Sequence, residues 1–531
     1  MEINPIKLEI FKNKFSSIAE EMGVALYKTA FSPNIKERKD HSCAIFDKKG
    51  DMIAQAAHIP VHLGSMPLSV KSVISMVTMD EGDMVFVNDP FMGGTHLPDI
   101  TVVAPVVIDD EILFYVANRA HHSDIGGISA GSMPLSNTIF QEGLIIPPTK
   151  IIKKGKLQEE ILNLIVANVR TPTERHGDFE AQIMANMTGI KRLKELSHLY
   201  GKTSVAFLSK KLIEYSENII KETILMIPDG EYSFVDYMDD DGFDTKKINI
   251  NAQIIIKDEK AIVDFTGSHR QVKGSINAVR AITLSAVIYV FRSLTEEDIP
   301  TNAGCLRPIE VIIPEGTIVD AKYPCAVAGG NVETSQRIVD TLFGALSKAV
   351  TDIIPAASQG TMNNLSIGGY DSNKKENFTY YETIGGGNGA SKYSAGESGI
   401  HSHMTNTMNT PIEAMEFEYP LRVKRYGIRK ESGGEGIHRG GDGIIREIEV
   451  LNDAETTVLS ERRVFEPYGL KGGNNGRKGI NKIISGNNER KLPGKFHHFL
   501  KKGDIIHIET PGGGGYGKKS GDDVILRKKK D

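Results

Sequence analysis

Three things are scarce in this 531-residue chain, and each narrows what it can be. Only three cysteines occur, Cys43, Cys305 and Cys325, with no CxxC pair. That argues against a disulfide framework or a cysteine zinc knuckle, and for a reducing compartment. No stretch approaches the roughly 20 apolar residues of a membrane span. Glu2, Lys7, Glu9 and Lys12 stand where a secretory leader would be apolar, so a cytoplasmic location is expected. Charge of one sign is also lacking: 63 basic residues face 68 acidic ones, a net of -5. Neither a nucleic-acid nor a membrane partner is therefore expected. The run Arg527-Lys528-Lys529-Lys530 reads as a solvated tail.

Glycine, by contrast, is abundant, at 53 residues against a usual share of about 7%. Much of it follows residue 385, which points to a loop-dense C-terminal part. The length calls for more than one domain. The turn Pro228-Asp229-Gly230 and Pro355 suggest three: residues 1–227, 228–355 and 356–531. Apolar spacing predicts helices over 6–30, 158–168, 205–226 and 333–351. Strands are expected at 84–87, 100–108 (interrupted by Pro105), 112–118, 252–256, 261–265, 444–450 and 505–509. This mixture predicts an α+β, multi-domain protein with mixed or antiparallel sheets.

The chemistry concentrates between His96 and Asp124. His96-Leu97-Pro98-Asp99 precedes a β-rich segment that ends in His121-His122-Ser123-Asp124. Two antiparallel strands and a turn would return His121 to the neighbourhood of His96 and Asp99. Imidazoles with a carboxylate suit zinc, manganese or iron(II), and three ligands leave room for water or substrate. Side chains alternate along a strand, so at most one of His121 and His122 belongs beside the metal. Two other polar clusters have ordinary readings. Arg38-Lys39-Asp40-His41-Ser42-Cys43 reads as a charged turn entering a strand. In Arg170–Asp178 the arginines could bind a carboxylate, or Asp178 could cap a helix.

Two motifs look catalytic without the right surroundings. Gly127-Ile128-Ser129-Ala130-Gly131 fits the nucleophile-elbow pattern, but no strand ends directly before it and Met133-Pro134 is a poor helix start. Gly512-Gly513-Gly514-Gly515-Tyr516-Gly517-Lys518-Lys519 resembles a phosphate loop but has Lys519 where Ser or Thr should meet magnesium. A structural glycine turn is expected there, and no ATP site.

Taken in order, several segments resemble the hydantoinase B/oxoprolinase family, which includes caprolactamase and acetone and acetophenone carboxylase subunits. They are Ser32–Arg38 with Asp40-His41-Ser42-Cys43; Asn88-Asp89-Pro90 with Gly93–Asp99; and His121–Gly127. Asn168–Pro172 with Gly177-Asp178 and Gly330–Arg337 follow. Later matches are Met404–Thr407 with Thr410–Glu413, Glu431–Gly434 and Thr510–Gly517. The resemblance implies a divalent metal (Zn, Mn or Fe) held by Asp40, His96, Asp99 and His121. It also implies an A-type partner subunit carrying ATP and magnesium, and ATP-dependent hydrolysis of a cyclic amide such as a hydantoin, 5-oxoproline or a lactam. His122 and Asp124, adjacent to His121, are the candidates for moving a proton or orienting a ligand. Two alternatives stay open: a subunit of an ATP-dependent ketone carboxylase, or a non-catalytic scaffold whose metal is structural.

Overall fold

A computed structural model describes residues 5–56 and 59–519; the basic run at 527–530 lies outside the described residues. The expected α+β architecture is present, with four sheets and helices packed between and around them.

The N-terminal part is built on a seven-stranded antiparallel sheet. Its strands are β1 (His41–Asp47), β2 (Met52–Ala56), β3 (Met84–Val87), β4 (Asp99–Ile108), β5 (Glu111–His121), β6 (Thr149–Lys153) and β7 (Lys156–Leu157), ordered β2-β1-β5-β4-β3-β6-β7. The central hairpin follows from its turn. Ile108 pairs with Glu111, leaving a two-residue loop in which Asp109 and Asp110 both take positive φ, 50° and 62°. That geometry matches the strand twist, and Asp tolerates it. The register then carries down the hairpin to Asp99 opposite His121. Pro105 does not interrupt β4, contrary to the reading above. Strand β3 pairs with β4 only at residues 101–103, so the proline lies where one flank of β4 is unpaired.

Each face of this sheet is covered by helix. Helix His62–Met76 packs Met66, Val70 and Val73 onto Ala44, Val85, Val103 and Ala117. Helices Pro5–Thr29 and Pro172–Tyr200 cover the other face. The alternation at β5 divides its polar residues accordingly. Arg119 bonds Ser65 and Ser69 on the first side, while Asn118 bonds Gln182 and Asn186 on the second.

A second sheet comprises β8 (Gly230–Asp240), β9 (Lys246–Lys257), β10 (Lys260–Asp264) and β11 (Ile309–Ile312), with only β10 and β11 parallel. Helices Arg280–Ser293 and Ser335–Leu346 pack between the sheets. The largest apolar cluster runs from Phe11 to Leu459 without a break at residue 228.

Two further sheets follow among the described residues. One has β12 (Asn364–Asp371), β13 (Glu376–Glu382), β16 (Ala454–Leu459) and β19 (Lys495–Leu500). The other has β14 (Leu421–Arg429), β15 (Gly443–Val450), β17 (Ile480–Ser485), β18 (Asn488–Leu492) and β20 (Ile505–Glu509). The phosphate-loop lookalike is an extended segment threaded through other glycine loops. Gly513 N–H donates to Gly441, Gly514 to Ala357, and Gly515 to Asn474. A Cβ on Gly513 would sit 2.0 Å from the Asn388 carbonyl oxygen. Backbone already occupies the space a phosphate would need, so the segment is structural. No helix among the described residues is long and apolar enough to cross a membrane.

Candidate metal centre

The bend that carries His96, the start of β4 at Asp99 and the end of β5 at His121 bring three donors to one point. His121 Nδ1 lies 3.1 Å from Asp99 Oδ1 and 3.1 Å from His96 Nε2, and His96 Nε2 lies 3.2 Å from Asp99 Oδ1. These residues are 1%, 0% and 2% exposed for Asp99, His96 and His121. The hairpin register accounts for Asp99 and His121. His96 reaches the same point because Asp99 N–H closes back on the His96 carbonyl at 3.2 Å.

Surrounding groups fix how each donor points. Asp99 Oδ2 accepts hydrogen bonds from the Thr95 hydroxyl and from His62 Nε2, the latter at 3.3 Å. His62 Nδ1 is itself held by Ser42 Oγ at 2.8 Å. The other oxygen, Oδ1, is thus left for the histidine pair. His96 Nδ1 donates to the Ala328 carbonyl at 3.3 Å, which leaves the lone pair of Nε2 facing the cluster, 3.0 Å from Asn331 Nδ2. Glu142 in turn accepts from the amides of Val327 and Ala328 at 2.9 and 3.0 Å, fixing the peptide that holds His96. Beside His121, the Tyr381 ring stacks at 4.3 Å between centroids and 20° between planes, and the Arg38 guanidinium lies 5.0 Å from the centre of that ring.

Electrostatics favour the deprotonated donors a cation needs. Burial pushes the Asp99 carboxyl upward, but His96, His121 and His62 outweigh it and hold the group well below the usual carboxylate range. Burial lowers His121 and His62, keeping both neutral near pH 7. Two imidazole nitrogens, His96 Nε2 and His121 Nδ1, lie 3.1 Å apart beside a buried carboxylate oxygen, and His121 Nε2 has no hydrogen-bond partner. Such a donor set fits a divalent transition-metal ion.

The structure sorts the other expected site residues. Asp40 stands outside the mutually close triad of His96, Asp99 and His121. It remains next to it: its carbonyl accepts the His121 N–H at 3.0 Å, and its carboxylate lies 3.9 Å from Arg38. His122 points to the opposite face, as alternation requires, and meets Gln182 Oε1 at 3.0 Å. Burial, then Arg175, drives its pKa well down. Asp124 is tied to Arg170, accepting from its backbone N–H at 2.7 Å and its guanidinium at 2.9 Å. Neither joins the triad. The Arg170–Asp178 segment braces the loop after His121: Arg175 donates to Ser123, and Ser123 to Glu174. Asp178 caps no helix of its own and instead accepts the N–H groups of Phe31 and Ser32. Ser129 of the elbow-like motif is buried beside a three-residue 3-10 turn, with no strand before it.

Sequence reasoning missed His62, Thr95, Asn331, Tyr381 and Glu142. Only Thr95 and Asn331 lay inside the matched segments; the others touch the centre through long-range packing.

Residues 4–519 match the family described as Hydantoinase B/oxoprolinase. The chain belongs to that family. It is 44% identical, over 99% of its length and 92% of the other's, to an uncharacterized protein (MJ0963) of Methanocaldococcus jannaschii. It is 41% identical to 5-oxoprolinase 1 of Arabidopsis thaliana over 96% of its own length, spanning 42% of that protein. The crystal structure of an ATP-dependent caprolactamase from Pseudomonas jessenii superposes with a TM-score of 0.91 at 28% identity, over 100% of this chain and 94% of that one.

Proposed function

We propose that this chain is the metal-carrying, B-type subunit of an ATP-dependent cyclic amidohydrolase that opens a hydantoin, 5-oxoproline or lactam ring. The convergence of His96, Asp99 and His121 on one buried point carries this reading. Asp40 is the proposed fourth ligand, because its charge acts on His121 and its backbone carbonyl holds the His121 N–H. A zinc, manganese or iron(II) ion bound there would polarise an oxygen and lower the pKa of water.

ATP is assigned to an A-type partner. The same unit fills most of one relative yet only 42% of 5-oxoprolinase 1, and the caprolactamase is titled ATP-dependent. Phosphorylation of the amide oxygen would overcome amide resonance. One water then adds at that carbon and the C–N bond breaks, the ring nitrogen taking a proton. A second water releases phosphate from the resulting acyl phosphate. In this chain His96, Asp99 and His121 hold the donor geometry. His122 and Asp124 keep the loop after His121 in place through Gln182 and Arg170.

The test is ATP-dependent turnover of hydantoin, 5-oxoproline and 2-pyrrolidone by the chain with its A-type partner. Ring opening by the wild type and its loss in His96→Ala, with the fold intact, is expected. Full activity in His96→Ala would refute the reading.

A further inference from the structure

A cavity of about 500 Å³ lies where helices Arg280–Ser293 and Ser335–Leu346 meet the loop around residues 401–406. Tyr289, Phe343 and Ile354 line it with apolar surface, and Asn388, His401 and Ser402 line it with polar groups. Among the described residues, no Lys, Arg, Asp or Glu lines it.

Its polar lining has unmet bonding capacity. Both ring nitrogens of His401, Asn388 Oδ1 and Ser402 Oγ are shielded from solvent and have no protein partner. Buried polar atoms are seldom left so, and several around one cavity point to a ligand that satisfies them. His403, also in the lining, has φ 56°, a left-handed conformation that a non-glycine residue keeps only where its surroundings hold it. Its ring is 3.4 Å from Asp340 and 3.4 Å from the Tyr289 hydroxyl.

Three links join this cavity to the metal centre. Pro60 lines it, two residues before His62, which bonds Asp99. Gln336 donates to the Ser402 carbonyl at 3.0 Å, five residues beyond Asn331, which meets His96. Arg38 acts electrostatically on His401 and lies over Tyr381, which stacks on His121.

We propose that this cavity receives the substrate ring as an uncharged cyclic amide, with His401 donating to the amide carbonyl and Asn388 Oδ1 accepting the amide N–H. Tyr289 and Phe343 cover the ring's apolar edge. The proposal rests on the ring-opening function above and adds where the ring binds and what charge it carries. Burial, then Arg38, pushes His401 down to about 3, so it is a neutral donor and acceptor near pH 7. A ligand carboxylate would be desolvated with no Lys or Arg in the lining to offset it. The volume is within the range of small-molecule pockets, on the order of 300–1,000 Å³.

His401→Leu removes the proposed donor without breaking any protein hydrogen bond, and His401→Gln restores a donor. Calorimetry would use hydantoin and 2-pyrrolidone as neutral probes and 5-oxoproline as the carboxylate-bearing one, with KM and kcat measured in the complex with the partner. The expected result is at least tenfold weaker binding and higher KM in His401→Leu. Metal content should be unchanged, affinity should recover in His401→Gln, and 5-oxoproline should bind at least tenfold more weakly than 2-pyrrolidone. Unchanged KM in His401→Leu, or 5-oxoproline binding as tightly as 2-pyrrolidone, would overturn the proposal. His96→Ala separates the two claims: if it remains active the ring-opening function fails, whereas if it is inactive and His401→Leu behaves as wild type only the cavity assignment fails.

Discussion

Replacing His62 by Phe tests whether the metal centre is organised as the hydrogen bonds indicate. His62 is 1% exposed and bonds Asp99 Oδ2 at 3.3 Å and Ser42 at 2.8 Å. Phenylalanine keeps much of the ring volume but deletes both bonds. Asp99 Oδ2 then relies on Thr95 alone. A hydrogen bond to a charged group contributes about 1.5–3 kcal/mol, and each 1.4 kcal/mol is tenfold in affinity. The weakening should therefore be on the order of 10–100-fold, the usual effect of losing a partner that orients a ligand. Competition of the apoprotein with a chelating zinc indicator measures it, with circular dichroism confirming the fold. Unchanged affinity would show that His62 does not orient Asp99. Complete loss of binding would show that it is itself a ligand.

Other predictions follow from different parts of the molecule. Asp124→Asn should lower turnover at least tenfold while metal content stays at the wild-type level, because the Arg170 tie weakens but the triad does not; turnover and metal analysis on one preparation decide this. Burial raises Glu142 from 4.5 to about 7, so the folded state binds a proton the unfolded state has released. Its contribution to stability is present below pH 4.5 and lost as pH rises toward 7. Glu142→Gln should accordingly show a shallower fall in Tm than wild type between pH 5 and 7.5, and parallel curves would contradict the assignment. Gly513→Ala should cost about 1–3 kcal/mol or more in urea unfolding, since its Cβ would meet the Asn388 carbonyl oxygen at 2.0 Å.

Where the chain obeys one local period, the sequence was readable. The helix expected over 6–30 is Pro5–Thr29, and strands 84–87 and 505–509 match residue for residue. The hairpin that brings His121 back to Asp99 was legible for the same reason, since only its two strands and a turn separate them. Helix Pro172–Tyr200 was visible only as a start. It buries Arg175, Gln182 and Asn186 in polar contacts with the sheet and the 121–127 loop, and Asp178 against the Phe31 and Ser32 amides, so polar residues interrupt its buried face. The C-terminal glycines signalled close approach, yet the partners of Gly512–Gly517 lie in loops scattered from residue 357 to 477. His62 and Tyr381 were hidden likewise: nothing local in Pro60-Val61-His62 or Thr379-Tyr380-Tyr381 reveals that each abuts the end of one hairpin.

The most direct test of the account is anomalous X-ray diffraction from crystals of the protein, collected at the absorption edge of the metal found by elemental analysis. The account predicts one anomalous peak per chain, within bonding distance of His96, Asp99 and His121 and approached by Asp40, and its absence in His96→Ala. A stoichiometric peak elsewhere, or one that persists unchanged in His96→Ala, would contradict it.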